Sequence, residues 1–257
     1  MQVEQQRLYE KKFIETCRLL KKSIVPHKTD LNKIRIGRKG DGGYVICELG
    51  DNKYDALYSY GSDDNITFEK SFYEKYGTES YVYDHTIDGI TDKPDYINFF
   101  KEGVASEKKE SPPLDTIDNH IIKNGHTECK NLFAQIDVEG SEWFLFNEKM
   151  KHLENFSQII IEFHIFQDVT RYEEVIKRTF DILNEKFVCV HIHANNCLLQ
   201  PWIDANFPRA FEVTYVRKDL ISECEIESKS LPDPELDASS DPTRPELVLD
   251  YWLNGYK

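Results

Sequence analysis

Leu57-Tyr-Ser-Tyr-Gly-Ser-Asp-Asp64 is the stretch whose reading decides the fold. An apolar run stops at Gly61, small and acidic residues follow, and Phe68-Glu69 opens a helix-like segment, which reads as a strand, a tight turn and a helix start. Further on, Ser80-Tyr-Val-Tyr-Asp84 is a second short strand ending in an acid. In doubly wound α/β folds ligands bind at such turns, and an acid about twenty residues beyond the turn holds ribose hydroxyls. The two stretches predict an α/β fold with a nucleoside-containing cofactor.

The 257 residues fit one large α/β domain with decorations. A net charge of −14 disfavours nucleic acid and anionic membranes, which are bound through clustered Lys and Arg. Lys21-Lys22 and Lys108-Lys109 are too short as basic runs to be more than solvated faces. Cys17, Cys47, Cys129, Cys189, Cys197 and Cys224 form no CxxC pair, so they read as reduced thiols. The first residues lack the apolar core of a signal peptide, and no apolar run is long enough to span a bilayer. The expectation is a soluble, cytoplasmic protein.

Taken in order, residues 1–50 carry an amphipathic helix from Val3 to about Ser23 and a hairpin, Lys33–Gly37 with Gly43–Cys47. The glycine-rich hairpin tip, Arg38 to Gly42, reads as a turn, with a ligand-facing lid as the alternative. Residues 51–220 form the core. Its seven strands are the opening stretch, Ser80–Asp84, Tyr96–Gly103 running on to Ser106, Asn131–Asp137, Ser157–His164, Phe187–His193 and Ala210–Val216. Helices are expected near Leu114–Lys123, after Gly140, and over Val169–Asn184. Asn195, Asn196, Pro201 and Trp202 fall in a loop between the last two strands. Residues 221–257 form an acidic, proline-rich extension with a final strand at Leu247-Val248-Leu249. The whole chain, 1–257, reads as a single domain.

The carboxyl ends of the strands carry Gly61, Asp84, Ser106, Asp137, His164 and His193, the edge where open α/β sheets bind ligands. Asp137 has an alternative reading as a helix N-cap, and His164 one as a satisfied sheet-edge histidine. Gly61-Ser-Asp-Asp64 lacks the further glycines of a pyrophosphate loop and sets two carboxylates where phosphates would sit. That conflict points to a nucleoside cofactor without phosphate. There is no GxxxxGK[ST] sequence either.

Three stretches resemble the FkbM-like family of S-adenosylmethionine-dependent methyltransferases, in the class I Rossmann-like group. They are Arg35-Ile-Gly-Arg-Lys-Gly-Asp-Gly-Gly-Tyr-Val-Ile46, Ser59-Tyr-Gly-Ser-Asp-Asp-Asn-Ile-Thr-Phe-Glu69 and Gln135-Ile-Asp-Val-Glu-Gly-Ser-Glu142; the tail from Leu231 to Pro245 is also similar. The resemblance implies a seven-stranded, mostly parallel sheet with its last strand antiparallel and helices on both faces. It implies S-adenosylmethionine held by Asp41, Gly42, Gly61, Ser62, Asp63, Glu69, Asp84, Ala105, Ser106 and Asp137, with Asp84 on the ribose and residues 103–106 beside adenine.

The activity it implies is O-methylation of a hydroxyl on a small molecule. The expected acceptor is a nucleotide-linked sugar such as a heptose, in bacterial surface or capsular polysaccharide biosynthesis. Asp137 or His164 would remove the hydroxyl proton, and Glu139, His193, Asn195, Asn196 and Arg209 would hold the acceptor. This reading uses no metal and is compatible with a homo-oligomer. Its alternatives are a metal-assisted O-methyltransferase of a specialised metabolite, with a hard cation on Asp137, Glu139 and His164, and a non-catalytic S-adenosylmethionine-binding protein. A dinucleotide dehydrogenase ranks behind both.

Overall fold

The computed structural model describes residues 2–50, 53–165, 172–199 and 208–249. Pro201, Trp202, the expected helix start at Val169, and the chain beyond residue 249 lie outside the described residues. The first half runs α1 (Gln2–Ser23), β1 (His27–Thr29), β2 (Lys33–Gly37), β3 (Gly43–Cys47), β4 (Ala56–Tyr60), α2 (Thr67–Tyr76), β5 (Ser80–Tyr83) and β6 (Ile97–Phe100). The second runs β7 (Gly103–Val104), β8 (Leu114–Asp115), α3 (Ile117–Lys123), β9 (Leu132–Ile136), β10 (Phe156–His164), α4 (Glu173–Lys186), β11 (Phe187–Leu199), β12 (Pro208–Arg217) and β13 (Cys224–Ile226).

Seven strands make the central sheet in the order β11-β12-β10-β9-β4-β5-β6. From β10 through β6 neighbours are parallel, and β12 alone runs antiparallel to both its neighbours. Strand order reverses between β4 and β9, because the chain builds outward from β4 in both directions. Such a reversal opens a crevice beyond the carboxyl ends of the two strands.

Side-chain alternation gives the sheet two apolar faces. Tyr58, Tyr60, Ala134, Ile136, Ile161 and Phe163 face α1, α3 and α4, whose Phe13, Leu20, Ile121, Phe180 and Leu183 complete that core. Leu57, Phe133 and Ile160 face the other way, under Phe68 and Phe72 of α2 and Ile36, Tyr44 and Ile46 of the β2–β3 hairpin. The hairpin is fastened to the sheet by the Gln158 amide, which accepts from Cys47 N (2.7 Å) and donates to Cys47 O (3.0 Å). Thr214 Oγ1 adds a bond to Val45 O at 2.6 Å.

Four expectations are corrected. The third strand stops at Phe100; Gly103–Val104 turns away to pair with Leu114–Asp115 in a separate two-stranded sheet. The helix expected from Leu114 therefore begins at Ile117, with Thr116 Oγ1 as its N-cap, accepting from Asn119 N at 3.1 Å. No α-helix follows Gly140; a single 3₁₀ turn covers Ser141–Phe144. Leu247-Val248-Leu249 is not a strand: Leu247 and Leu249 are buried anchors, and the segment is tied by Leu249 N to Leu231 O at 2.8 Å.

Candidate active site

One cavity of about 1000 Å³ opens at the carboxyl ends of β4, β5, β9 and β10, on the side covered by the hairpin. Its floor starts where β4 and β9 part. Gly61 has φ +78°, and a Cβ there would overlap the Asp137 carbonyl oxygen, so only glycine lets the two strand ends lie against each other. Gly61 N donates to Tyr83 O at 3.0 Å and Asp137 N to Tyr60 O at 2.9 Å, which sets three strand ends in register.

On one side of Gly61 stands Asp84, buried at the end of β5. Its Oδ2 accepts from Asp63 N (3.0 Å), and its Oδ1 from Thr86 N (2.8 Å) and Thr86 Oγ1 (2.6 Å). A carboxylate offers about four lone-pair sites, so acceptor capacity is left over. Beside it Gly103, Val104 and Ala105 form a small-residue wall, and a Cβ on Gly103 would collide with the His85 ring and Leu114. Below, Glu69 is buried on α2; Ser59 Oγ donates to its Oε1 at 2.5 Å, and Oε2 has no partner among the described residues. Burial holds the Glu69 carboxyl above its ordinary range.

On the other side of Gly61 lies an acidic group around one imidazole. His164 ends β10, and Glu142 of the 3₁₀ turn grips it from behind. Glu142 Oε1 accepts from His164 N at 2.5 Å and lies 3.3 Å from Nδ1, while Oε2 accepts from Gly140 N at 2.7 Å. The other ring nitrogen, Nε2, lies 3.8 Å from Asp137 Oδ1, 3.6 Å from Glu139 Oε2 and 3.9 Å from Glu162 Oε1. Glu139 gets there through a left-handed backbone, φ +52°.

Burial pushes the Asp137 carboxyl up to about 7, with His164 opposing and Glu139, Glu142 and Asp41 adding to the rise. Glu162 is driven well above the carboxylate range by burial, then by Asp137 and Glu212. Burial pulls His164 down, but Glu142, Glu162 and Asp137 outweigh it and lift the ring to about 9.

Of the residues singled out in the sequence, Asp41, Gly42, Gly61, Ser62, Asp63, Glu69, Asp84, Ala105, Ser106, Asp137, Glu139, His164 and Asn195 line this cavity. His193, Asn196 and Arg209 do not. His193 is buried between Glu212 and Glu246, each at 3.3 Å. Asn196 holds the C-terminal segment through Ser239 Oγ at 2.7 Å and Asp241 N at 2.8 Å. Both asparagines sit on β11 rather than in a loop, and Asn195 Nδ2 donates to Glu162 Oε1 at 3.0 Å.

Sequence reasoning passed over Tyr44, Asn65, His85, Thr86, Lys109, Glu162 and Cys197, which also line the cavity. Glu162 was within reach of simple alternation, being two residues from His164 on one strand. Glu142 was quoted within its motif without a role.

Asp137, Glu139 and His164 each bring one potential donor atom to within 4.8 Å of the others. Among the described residues no helix is long and apolar enough to cross a membrane. No curated protein matches the sequence. A solved chain from Streptococcus thermophilus, described as a "Putative hemolysin", is similar over 65% of this chain and 60% of its own, at 12% identity and a TM-score of 0.36. This chain thus spans less than two thirds of that one, and a likeness so slight bears on neither fold nor function. Residues 9–204, most of the chain, match a family described as a methyltransferase domain, and the protein belongs to that methyltransferase family.

Proposed function

We propose that this protein is an S-adenosylmethionine-dependent O-methyltransferase with a class I Rossmann-like, FkbM-like core, acting on a hydroxyl of a small molecule, most simply a nucleotide-linked sugar. The observation that carries the reading is the meeting of Asp84, Gly61 and Asp137 in one cavity at the strand-order reversal. The residues present fit the cofactor. Asp84 retains acceptor capacity for ribose hydroxyls, the 103–105 wall suits a flat base, and the acidic group beyond Gly61 suits a positive sulfonium. Bound there, S-adenosylmethionine supplies an electrophilic methyl carbon for in-line displacement.

The remaining work is the chain's own. Asp137, whose side chain is 24% exposed, faces the cavity and takes the acceptor's proton. His164, clamped by Glu142, steadies the Asp137 carboxylate. Asn195 and Glu139 line the acceptor end, and Arg38 and Lys109 are the cations on the wall that a diphosphate would meet. Holding a hydroxyl in line is worth roughly 7 to 11 kcal/mol of barrier, so alignment is the larger contribution. A cavity of about 1000 Å³ has room for cofactor and acceptor together.

The test is calorimetric binding of S-adenosylmethionine, followed by incubation with nucleotide sugars, heptoses included, and detection of a methyl mass gain. Asp137→Asn is expected to keep cofactor binding and to lower turnover by about 10²- to 10⁴-fold, the usual worth of a positioned base. Near-normal turnover in both Asp137→Asn and His164→Ala would remove these residues from the chemistry. Absence of product across the sugars would exclude the acceptor class.

A further inference from the structure

We infer that Glu69 receives the α-ammonium group of S-adenosylmethionine, so that the site selects a nucleoside carrying a cationic amino-acid tail over the plain nucleoside. The inference rests on the cofactor reading above and adds the group that holds the cofactor's tail.

Three observations support it. The first is an unspent acceptor. Glu69 lies in the first turn of α2 and is 2% exposed, yet it lines the cavity. Its Oε2 has no hydrogen-bond partner among the described residues. Its Oε1 is little better supplied. Ser59 Oγ, 2.5 Å away, is also 2.8 Å from Gln135 Oε1, and one hydroxyl hydrogen cannot serve both oxygens at once. Polar atoms buried this deeply are nearly always paired, so an orphan bordering a cavity marks where a ligand's donor belongs.

The second is charge. Glu69 forms no ion pair among the described residues; what acts on its carboxyl is burial, the Ser59 hydroxyl and its own backbone N–H. Of the two cations on the cavity wall, Arg38 is paired with Asp41, and Lys109 is bridged to Leu114 beside Gly103. An ionised carboxyl buried without a cation is costly, and burial holds this one above its ordinary range. A hydroxyl or a water brings hydrogen but no charge. A primary ammonium brings a positive charge and three N–H donors together.

The third is position. Glu69 is bonded to Ser59 on β4, the strand between β5, which leads to Asp84, and β9, which leads to Asp137. With the ribose at Asp84 and the sulfonium near the acids around Asp137, the tail that branches from the sulfonium falls to the strand between them. The hairpin tip closes this place from above, since a Cβ on Gly42 would collide with the Asn65 amide, and both residues line the cavity.

The test is calorimetry on the full chain with three nucleosides that lack the sulfonium, so that the acids around Asp137 do not enter the comparison. They are S-adenosylhomocysteine, its analogue with a hydroxyl in place of the α-amine, and 5′-methylthioadenosine, which has no amino-acid end. Wild type is expected to bind S-adenosylhomocysteine at least about tenfold more tightly than the deaminated analogue, in line with a hydrogen bond between charged groups. That comparison needs no variant. Glu69→Gln keeps an oxygen for Ser59 and is expected to erase the preference, while its affinity for 5′-methylthioadenosine, which reports that the variant is folded, stays within about twofold of wild type. Glu74→Gln, at an exposed acid of the same helix, is expected to change none of the three affinities. Equal affinity of wild type for S-adenosylhomocysteine and the deaminated analogue, or a preference that survives in Glu69→Gln, would overturn the inference and leave the cofactor reading intact. Failure of wild type to bind any of the three would refute the cofactor reading, and this inference with it.

Discussion

Replacing Asn196 by Ala is expected to release the C-terminal segment that packs across β11. The Asn196 Nδ2 lies 2.7 Å from Ser239 Oγ, 3.0 Å from Asp241 O, 3.2 Å from Arg244 O and 3.3 Å from Pro245 O. Its Oδ1 accepts from Asp241 N at 2.8 Å. Two amide hydrogens can serve only two of those four oxygens well, so about three bonds operate at once. At a net 0.5–1.5 kcal/mol each, their loss weakens the attachment by about 2–4 kcal/mol. That is roughly 30- to 700-fold in the local opening equilibrium. Buried Leu231, Leu247 and Leu249 keep the segment from leaving altogether.

Hydrogen exchange read by mass spectrometry on peptides from 237–249 measures this directly, with β10 peptides as the internal reference. Unchanged protection over 237–249 would refute the attachment argument. A consequence at the cavity follows. Arg244 Nη1 bonds to the carbonyl of Cys197, a cavity residue, and Arg35 bridges Leu236 O (3.4 Å) and Gly40 O (2.7 Å) in the hairpin tip. Loosening the segment is therefore expected to raise KM more than it lowers kcat.

Two further outcomes are expected. Glu142→Gln keeps the shape but turns an N–H toward backbone donors that a carboxylate now satisfies, so urea unfolding is expected to show a loss of about 2–4 kcal/mol; a loss within experimental error would mean that Glu142 does not hold His164. Burial lowers the His193 pKa, but Glu212, Glu246 and Asp237 overcome it and raise it to about 10. Its stabilisation is thus complete below the free-histidine value near 6.5 and declines as pH rises through about 10. Melting temperatures from pH 6 to 10.5 are expected to fall more steeply in wild type than in His193→Gln, and parallel profiles would contradict the charged-histidine reading.

The seven sheet strands could be read from the sequence because each is an apolar run bounded by turn residues, and burial on both faces leaves little else such a run can be. The third strand was overrun because Tyr96 to Ser106 is continuously β-like. What divides it is Gly103 seeking Leu114, a partner that local pattern does not announce. The 3₁₀ turn after Gly140 read as the start of a helix, for which Asp137 was a candidate cap, but Glu142 does not continue one. Instead it reaches back to the Gly140 nitrogen. The part of the cavity around Gly61, Asp84 and Asp137 was legible since all three follow strand ends directly. The part around Glu162 and Asn195 was less so. Asn195 and Asn196 looked like loop residues, yet they are buried because Glu162 and the segment from Ser239 to Pro245, both distant in sequence, provide their partners.

The Asp137 N to Tyr60 O bond and the Gly61 contact fix how β9 lies against β4. Phe133, Gln135 and Asp137 share one side of that strand by alternation, while Leu132, Ala134 and Ile136 share the other. Parity therefore governs the site. One residue inserted into or deleted from β9 would swing the carboxylate onto the face that α3 and α4 cover, although every residue type survived. Changes in steps of two preserve its facing, and the turn after it can vary in length without that penalty. In this chain the count of residues leading to Asp137 is as much a determinant of what lines the cavity as its identity.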